Sequence, residues 1–303
     1  MRVLADTKDM SREDWLKYRK KGIGGSDSSA ILGANPYSSA FDVYLDKTGD
    51  YEEEVDNERM LWGRILEDIV AKEFTKRTGI KLRKRFAILQ HDEYDWMIAN
   101  VDRLVVGEDA GAEIKTTNSF YDEKEVPDYY WTQCQHYMAV TGKAYWYLIV
   151  LAGGQKLHSY KVKRDDEFIN NKLIPAEKDF WEMLQKGEMP AVDSSQSCTN
   201  ALNRMYSNAD EEQVELPEDV YELLKEYDEA VAQEKEAKER KDLIANTVKS
   251  QMGEHSRAVI FDRQVTWVPV TSNKFDSKTF KTDHPDLYEK YLKESNYRRF
   301  QIK

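Results

Sequence analysis

Cysteine is nearly absent: Cys134 and Cys198 are the only two in 303 residues. Two thiols exclude a disulfide framework, and they exclude a four-cysteine zinc or iron–sulfur site within the chain. A reducing cytoplasm is the expected home. No apolar run approaches the ~18 residues of a membrane span. The opening stretch "MRVLADTKDMSREDW" lacks the basic-then-apolar order of a signal peptide, so no membrane partner is expected. Positive charge is also in deficit, with a net charge of −11 and a pI near 5.2. Averaged over the chain, that argues against a nucleic-acid partner. Charge is not evenly spread, however, and clusters matter more than sums. "KYRKKG" (17–22), "KLRKRF" (81–86) and "NYRRF" (296–300) are basic islands. An acidic protein of this kind can hold DNA locally while repelling it elsewhere.

What is present supports a sizeable core: 40% of residues are hydrophobic and 12% aromatic. The length fits one large domain with an appendage, divided as 1–210 and 211–303. Ser11 and Asp14 predict a capped short helix. Gly22, Gly24 and Gly25 end it, and Ser26 with Asp27 start another helix whose amides form an anion site. Residues 58–78 predict a long amphipathic helix with a stripe of Leu61, Trp62, Ile65, Leu66, Ile69, Val70 and Phe74, with Glu67 at its edge. "KLRKRFAIL", "WMIANVDRLVV" and "AGAEIKTT" read as strands, and "GEDAG" as a hairpin turn. Pro127 opens a helix that Gly142 stops. "KAYWYLIVLAGG" is a buried strand paired with "KLHSYKVKR", and the helix after it is kinked or split at Pro175. Residues 191–212 read as a linker or loop. The extension contains a charged helical arm, a β-hairpin at "RAVIFDRQVTWVPV", and a terminal helix and strand. The polar middle of the arm is either a solvent-crossing helix or a turn between two helices.

Two acids and a lysine interrupt the apolar pattern. Side chains alternate along a strand, so Glu113 and Lys115 share a face while Ala112 and Ile114 enter the core. An adjacent strand carrying Asp102 brings a second carboxylate close to Glu113. Two neighbouring carboxylates repel unless one is protonated or a cation joins them. Hard oxygen ligands suit Mg²⁺, with Mn²⁺ as a substitute. Lys115 beside them orients a water or stabilises charge on a phosphate, and a metal with a nearby cation is what phosphodiester cleavage needs. Tyr130, Gln133 and Tyr137 fall on one helical face, where a glutamine can donate to a phosphate or its water.

Taken in order, "GIGGSD", "GRILED", "ANVDRLV", "AEIKTT" and "YYWTQCQHYM" resemble the YqaJ-like viral recombinases, relatives of phage lambda exonuclease in the PD-(D/E)XK nuclease superfamily. The resemblance spans roughly residues 10 to 200. It implies an α/β, restriction-endonuclease-like core with a central mixed β-sheet flanked by helices. It also implies Mg²⁺-dependent 5′-to-3′ digestion of linear double-stranded DNA, producing 3′ strands for recombination by annealing. The implied partners are DNA ends, sister subunits in a homotrimer ring or other homo-oligomer, and a single-strand annealing protein; a phage-encoded chain would work in the host cytoplasm. By the same resemblance, Asp102, Glu113 and the Ile114 carbonyl hold metal and Glu67 completes the set. Lys115 activates water and Gln133 supports it. Ser26, with Arg19, Lys20 or Lys21, grips a terminal 5′-phosphate. Lambda-like members place an arginine after the lysine motif, where this chain offers hydroxyls, among them Thr117, and Lys124. The rival readings are an endonuclease of the same superfamily, a DNA-end-binding protein with a silent nuclease site, and an unrelated α/β protein whose arm (217–252) binds a partner helix.

Overall fold

The computed structural model describes residues 1–49, 57–118, 124–208, 212–294 and 298–302. After the short strand β1 (Arg2–Asp6), the Ser11 side chain accepts from the Asp14 amide at 3.1 Å and starts α1 (Arg12–Arg19), as the cap predicts. The next helix, α2 (Gly25–Ile31), begins one residue before Ser26, because Gly24 takes the cap position and its amide donates to the Asp27 carboxylate at 2.9 Å. Then come α3 (Ala40–Thr48) and α4 (Glu58–Thr78), the latter with its expected bounds. The α4 stripe is buried only in its second half. Val70 and Phe74 enter the core, whereas Leu61, Trp62, Ile65 and Ile69 stay exposed.

Among the described residues up to 200, eight strands form two sheets. After α4 come β2 (Leu82–Lys84), β3 (Ala87–Gln90), β4 (Ile98–Asn100), β5 (Arg103–Val105) and β6 (Ala110–Thr117). The helix α5 (Asp128–Thr141), β7 (Tyr145–Ala152) and β8 (Lys156–Lys163) follow. The larger sheet has the order β2-β5-β6-β7-β8, and β1-β3-β4 make the smaller one. β6 and β7 are parallel, so the chain must cross over between them, and α5 is that crossover. The neighbouring pairs β2–β5, β5–β6 and β7–β8 are antiparallel. The run "WMIANVDRLVV" is therefore not one strand. It breaks at Val101 and Asp102, with β4 joining one sheet and β5 the other. Asp102 stands at that break, in a bend rather than in a strand.

The alternation along β6 holds. Ala112 and Ile114 pack with Ile149 against Val70, Ala71 and Phe74 of α4. On the other sheet face, Trp146, Leu148 and Val150 pack with Cys134 and Met138 of α5. Gly111 has its reason in Trp146: a Cβ there would lie 2.1 Å from the indole, so only a bare backbone fits. A mixed sheet with helices on both faces is the α/β architecture expected.

After β8, α6 (Asp166–Phe168) runs through a π-helical turn, Ile169–Leu173, into α7 (Ile174–Gln185). Pro175 lacks an amide hydrogen and crowds the preceding turn, which accounts for the widened helix where a kink was expected. Residues 191–212 are not all linker. Ser195 caps α8 (Gln196–Met205), which buries Cys198 and Ala201; its few apolar residues hide a real helix. The chain falls into two units, Met1–Tyr206 and Ser207–Lys303. In the second, the charged arm is one unbroken helix, α9 (Glu218–Met252). The expected hairpin follows as β9 (Arg257–Ile260) and β10 (Arg263–Thr266), then α10 (Ser277–Asp283) and α11 (Pro285–Lys290). The terminal strand is not found among the described residues, and Asn296 and Tyr297 of the third basic island lie outside them. Among the described residues, no helix is long and apolar enough to cross a membrane.

Candidate active site

One strand, one helix and the bend before β5 supply the predicted constellation. Glu113 is buried, and Lys115, two residues along the same face of β6, places its Nζ 2.8 Å from Glu113 Oε1. Gln133 of α5 reaches the same oxygen with its Nε2 at 2.9 Å and also donates to the Tyr137 hydroxyl at 2.8 Å. Asp102 comes to the group through the backbone: the Ile114 amide donates to its Oδ2 at 2.8 Å. Tyr130 lies under the Lys115 ammonium, 5.5 Å from ring centre to Nζ. Asp102, Glu113, Lys115, Gln133 and Tyr130 are thus brought together around β6, the central strand of the larger sheet.

The electrostatics are unbalanced. Burial and the nearby charge of Glu113 push the Asp102 carboxyl up to about 8. Burial works against the Lys115 ammonium, but Glu113 and Asp102 outweigh it and hold its pKa above the ordinary lysine value. Glu113 Oε2 is buried with no hydrogen-bond partner. A buried carboxylate oxygen left bare is costly unless something pairs with it. Two hard carboxylates close enough to feel each other's charge, one with an unpaired oxygen, fit a divalent cation.

Glu67 departs from the expected three-acid set. It rides on α4, and Arg103 holds its carboxylate, while the same guanidinium bonds Asp68. Asp68 is also 2.8 Å from Lys84. Burial and the charge of Asp102 raise the Glu67 pKa, which places Glu67 within electrostatic reach of the pair. Among the described residues, however, no three acidic, histidine or cysteine side chains cluster as a metal cage. The geometry gives two acids acting on each other and a third tied to Arg103. Arg103 was not singled out in the sequence; its signal was a charge inside the apolar run "DRLVV".

Of the residues expected to grip a phosphate, Ser26 lines the same cleft as Lys115, and Arg19, Lys20 and Lys21 do not. A cleft of about 550 Å³ is lined by Ser26, Lys115, Thr117, Tyr130 and Gln133, with Arg59 and Trp62 on its wall. Ser26 therefore shares one cavity with the catalytic candidates. Arg19 is turned to Asp27, its Nη2 3.2 Å from Oδ1. Lys20 and Lys21 are exposed and line no part of the cleft, and Lys21 lies over the Tyr18 ring. Lys124 is likewise exposed and outside the lining. The unforeseen residues are Asp27 and Lys47. Both are buried, with Lys47 Nζ 2.7 Å from Asp27 Oδ2 and 3.0 Å from the Arg19 carbonyl. Burial alone would raise the Asp27 pKa, but Lys47 and Arg19 hold it far below the usual carboxylate range.

Comparisons with known proteins agree with the sequence resemblance. The profile described as the YqaJ-like viral recombinase domain matches residues 14–144. The uncharacterized protein YqaJ of Bacillus subtilis is 40% identical over 310 residues, which cover 99% of this chain and 97% of that protein. Protein D345L of African swine fever virus, strain Badajoz 1971, is 26% identical over 69 residues, 23% of this chain and 20% of its own. Among solved structures, an alkaline exonuclease from Laribacter hongkongensis is 16% identical with a TM-score of 0.46, covering 58% of this chain and 93% of that one. A phage-related exonuclease from Haemophilus somnus is 15% identical with a TM-score of 0.42, covering 57% of this chain and all of that one (100%).

Proposed function

We propose, for a chain that belongs to the YqaJ-like viral recombinase domain family, a metal-dependent 5′-to-3′ exonuclease acting on the ends of linear double-stranded DNA. The observation that carries the reading is the bare, buried Glu113 Oε2, with the Lys115 ammonium on the other Glu113 oxygen and the half-buried Asp102 carboxylate held by the Ile114 amide next along β6. Asp102, Glu113 and the Ile114 carbonyl would hold Mg²⁺, with Mn²⁺ as a substitute. Glu67 joins them if Arg103 shifts its grip to Asp68. The ion, when bound, supplies charge neutralisation at the scissile phosphate and acidifies a water. The protein's own groups do the rest. Lys115 aims its N–H at the water and the phosphate. Gln133 fixes the Glu113 carboxylate in plane, and Tyr130 supports the ammonium. Ser26, at the far end of the same cleft, receives the terminal 5′-phosphate, and Arg19 braces the loop before it.

The test is digestion of a linear duplex carrying a 5′-phosphate at one end only, with and without EDTA. Loss of one strand from the phosphorylated end, abolished by EDTA, is expected. Lys115→Ala should lower kcat by about 10²-fold or more, in the range seen when a charge-stabilising donor is removed. An active Lys115→Ala protein refutes the assigned role. Cutting of a covalently closed circle would favour an endonuclease. Because Arg103 holds Glu67, a silent end-binding protein is the second reading, favoured by Mg²⁺ binding in calorimetry without turnover. A ring-shaped homo-oligomer and a single-strand annealing partner belong to the same proposal.

A further inference from the structure

Resting on the metal-dependent reading proposed above, we infer that Asp68 is a positioning residue for the metal site: it keeps Arg103 paired, so that Glu67 can leave the guanidinium and turn to the ion. Glu67 and Asp68 are consecutive on α4, so their side chains leave the helix about 100° apart. Arg103 lies on β5 opposite Lys84 of β2 and is 3% exposed. Its Nη1 donates to Glu67 Oε1 and, at 2.6 Å, to the Asp102 carbonyl. Its Nη2 donates to Asp68 Oδ1. A single buried cation thus grips two neighbouring acids and the backbone of a third.

The double grip decides what Glu67 can do. A buried charge left without a partner is strongly disfavoured. Were Glu67 the only acid on Arg103, turning it toward an ion would strand a buried guanidinium. With Nη2 on Asp68 and Nη1 on the Asp102 carbonyl, Arg103 stays bonded after Glu67 departs. Glu67 also has room to turn, since its side chain is 27% exposed where that of Arg103 is 4%. Charge sets the direction. Asp102 lies close enough to raise the Glu67 pKa against the pull of Arg103, and a divalent ion shared by the two carboxylates relieves their repulsion. Asp68 itself adds little to that repulsion, because Lys84 Nζ is 2.8 Å from the same Oδ1 that Arg103 uses. Arg103 and the ion therefore compete for Glu67, and Asp68 tips the competition toward the ion.

The test titrates Mg²⁺ alone into the full chain by isothermal calorimetry. Asp68→Asn should weaken binding about tenfold, the size of loss expected when the support of a metal ligand is removed. Asp68 is 51% exposed, so the exchange leaves the core intact. It also removes a nearby negative charge, which by itself weakens cation binding without any part played by Glu67. A double-mutant cycle separates the two causes. Glu67→Gln should weaken binding, and adding Asp68→Asn to it should change nothing further. An equal loss from Asp68→Asn in both backgrounds would mean that Asp68 acts by its charge alone, and would overturn the inference. Wild-type affinity in either single variant would overturn it as well. No Mg²⁺ binding by the wild type would remove the metal reading itself, whereas normal wild-type binding with an unaffected Asp68→Asn removes only the role of Asp68.

Discussion

Lys47 offers the sharpest check on the physical account of the phosphate end. Its ammonium is fully buried and is shared between Asp27 at 2.7 Å and the Arg19 carbonyl at 3.0 Å. Lys47→Met keeps the side-chain volume and removes the charge. Breaking a buried ion pair from one side costs about 3–5 kcal/mol, because the remaining charge stays in the interior. Asp27 would still have Arg19 at 3.2 Å and the Gly24 amide at 2.9 Å. The expected loss is therefore near the lower end, about 3 kcal/mol. In a unit of this size, each kcal/mol moves the midpoint by roughly 2–4 °C, so differential scanning calorimetry should show the first unit melting about 6–12 °C earlier. Adding Asp27→Asn removes the stranded charge and should recover more than half of that loss. A shift below about 2 °C for Lys47→Met, or a double variant as unstable as the two single losses combined, would refute the claim that this pair organises the loop.

Other consequences follow from the same geometry. His136 Nε2 donates to the Ile98 carbonyl at 2.9 Å, and Nδ1 lies 2.8 Å from both Glu177 Oε1 and the Ser28 hydroxyl. Burial lowers its pKa, but Glu177 outweighs that and raises it above 6.5. Its stabilising contribution is then complete below pH 6.5 and is lost as pH rises through the folded value; melting temperatures of wild type and His136→Gln should converge on the alkaline side, and a constant gap would count against it. Gly25→Ala puts a Cβ 2.6 Å from the Tyr137 ring, and overpacking of this kind costs about 1–3 kcal/mol; an unaltered urea midpoint would refute the close approach. DNA affinity should fall about 10³-fold between ~50 and ~200 mM salt if several phosphates are held, and a flat titration would remove the basic islands as the grip.

Much of the fold was legible where one period dominates. The alternating faces of β6, the bounds of α4 and the pairing of β7 with β8 all follow from alternation or helical spacing. The failures share a cause: periodicity reports the face of an element, not what covers it. The first half of the α4 stripe has the right spacing, yet Leu61, Trp62 and Ile65 remain exposed, Trp62 on the cleft wall. The apolar run around Asp102 looks continuous because both sheets bury their strands, and nothing local marks the switch between them. α8 reads as linker in the sequence because its apolar residues are few, although Cys198 and Ala201 are buried and Leu202 and Met205 pack on the core. At the site, residues on neighbouring positions of one strand were readable. Arg103 and Lys47 were not, since a buried cation declares itself only once its partner from a distant element is known.

The two ends of the cleft are mechanically one piece, and this explains why the glycines and the glutamine sit where they do. Gln133 bonds both Glu113 and Tyr137. The Tyr137 ring leaves no room for a Cβ on Gly25, so α5 and α2 approach at backbone distance. Gly25 opens the helix whose next residue is Ser26, and Gly24 before it is fixed by Asp27, which Arg19 and Lys47 hold. A displacement of the phosphate end is therefore passed through rigid packed contacts to the carboxylate end. Buried acids tolerate so little motion because Asp102 and Glu113 repel each other and rely on fixed donors. A reacting group misplaced by about 1 Å can lose on the order of 10² in rate. Under the proposed function, the close packing of α2 on α5 is a requirement of the chemistry, met by the residue that has no side chain.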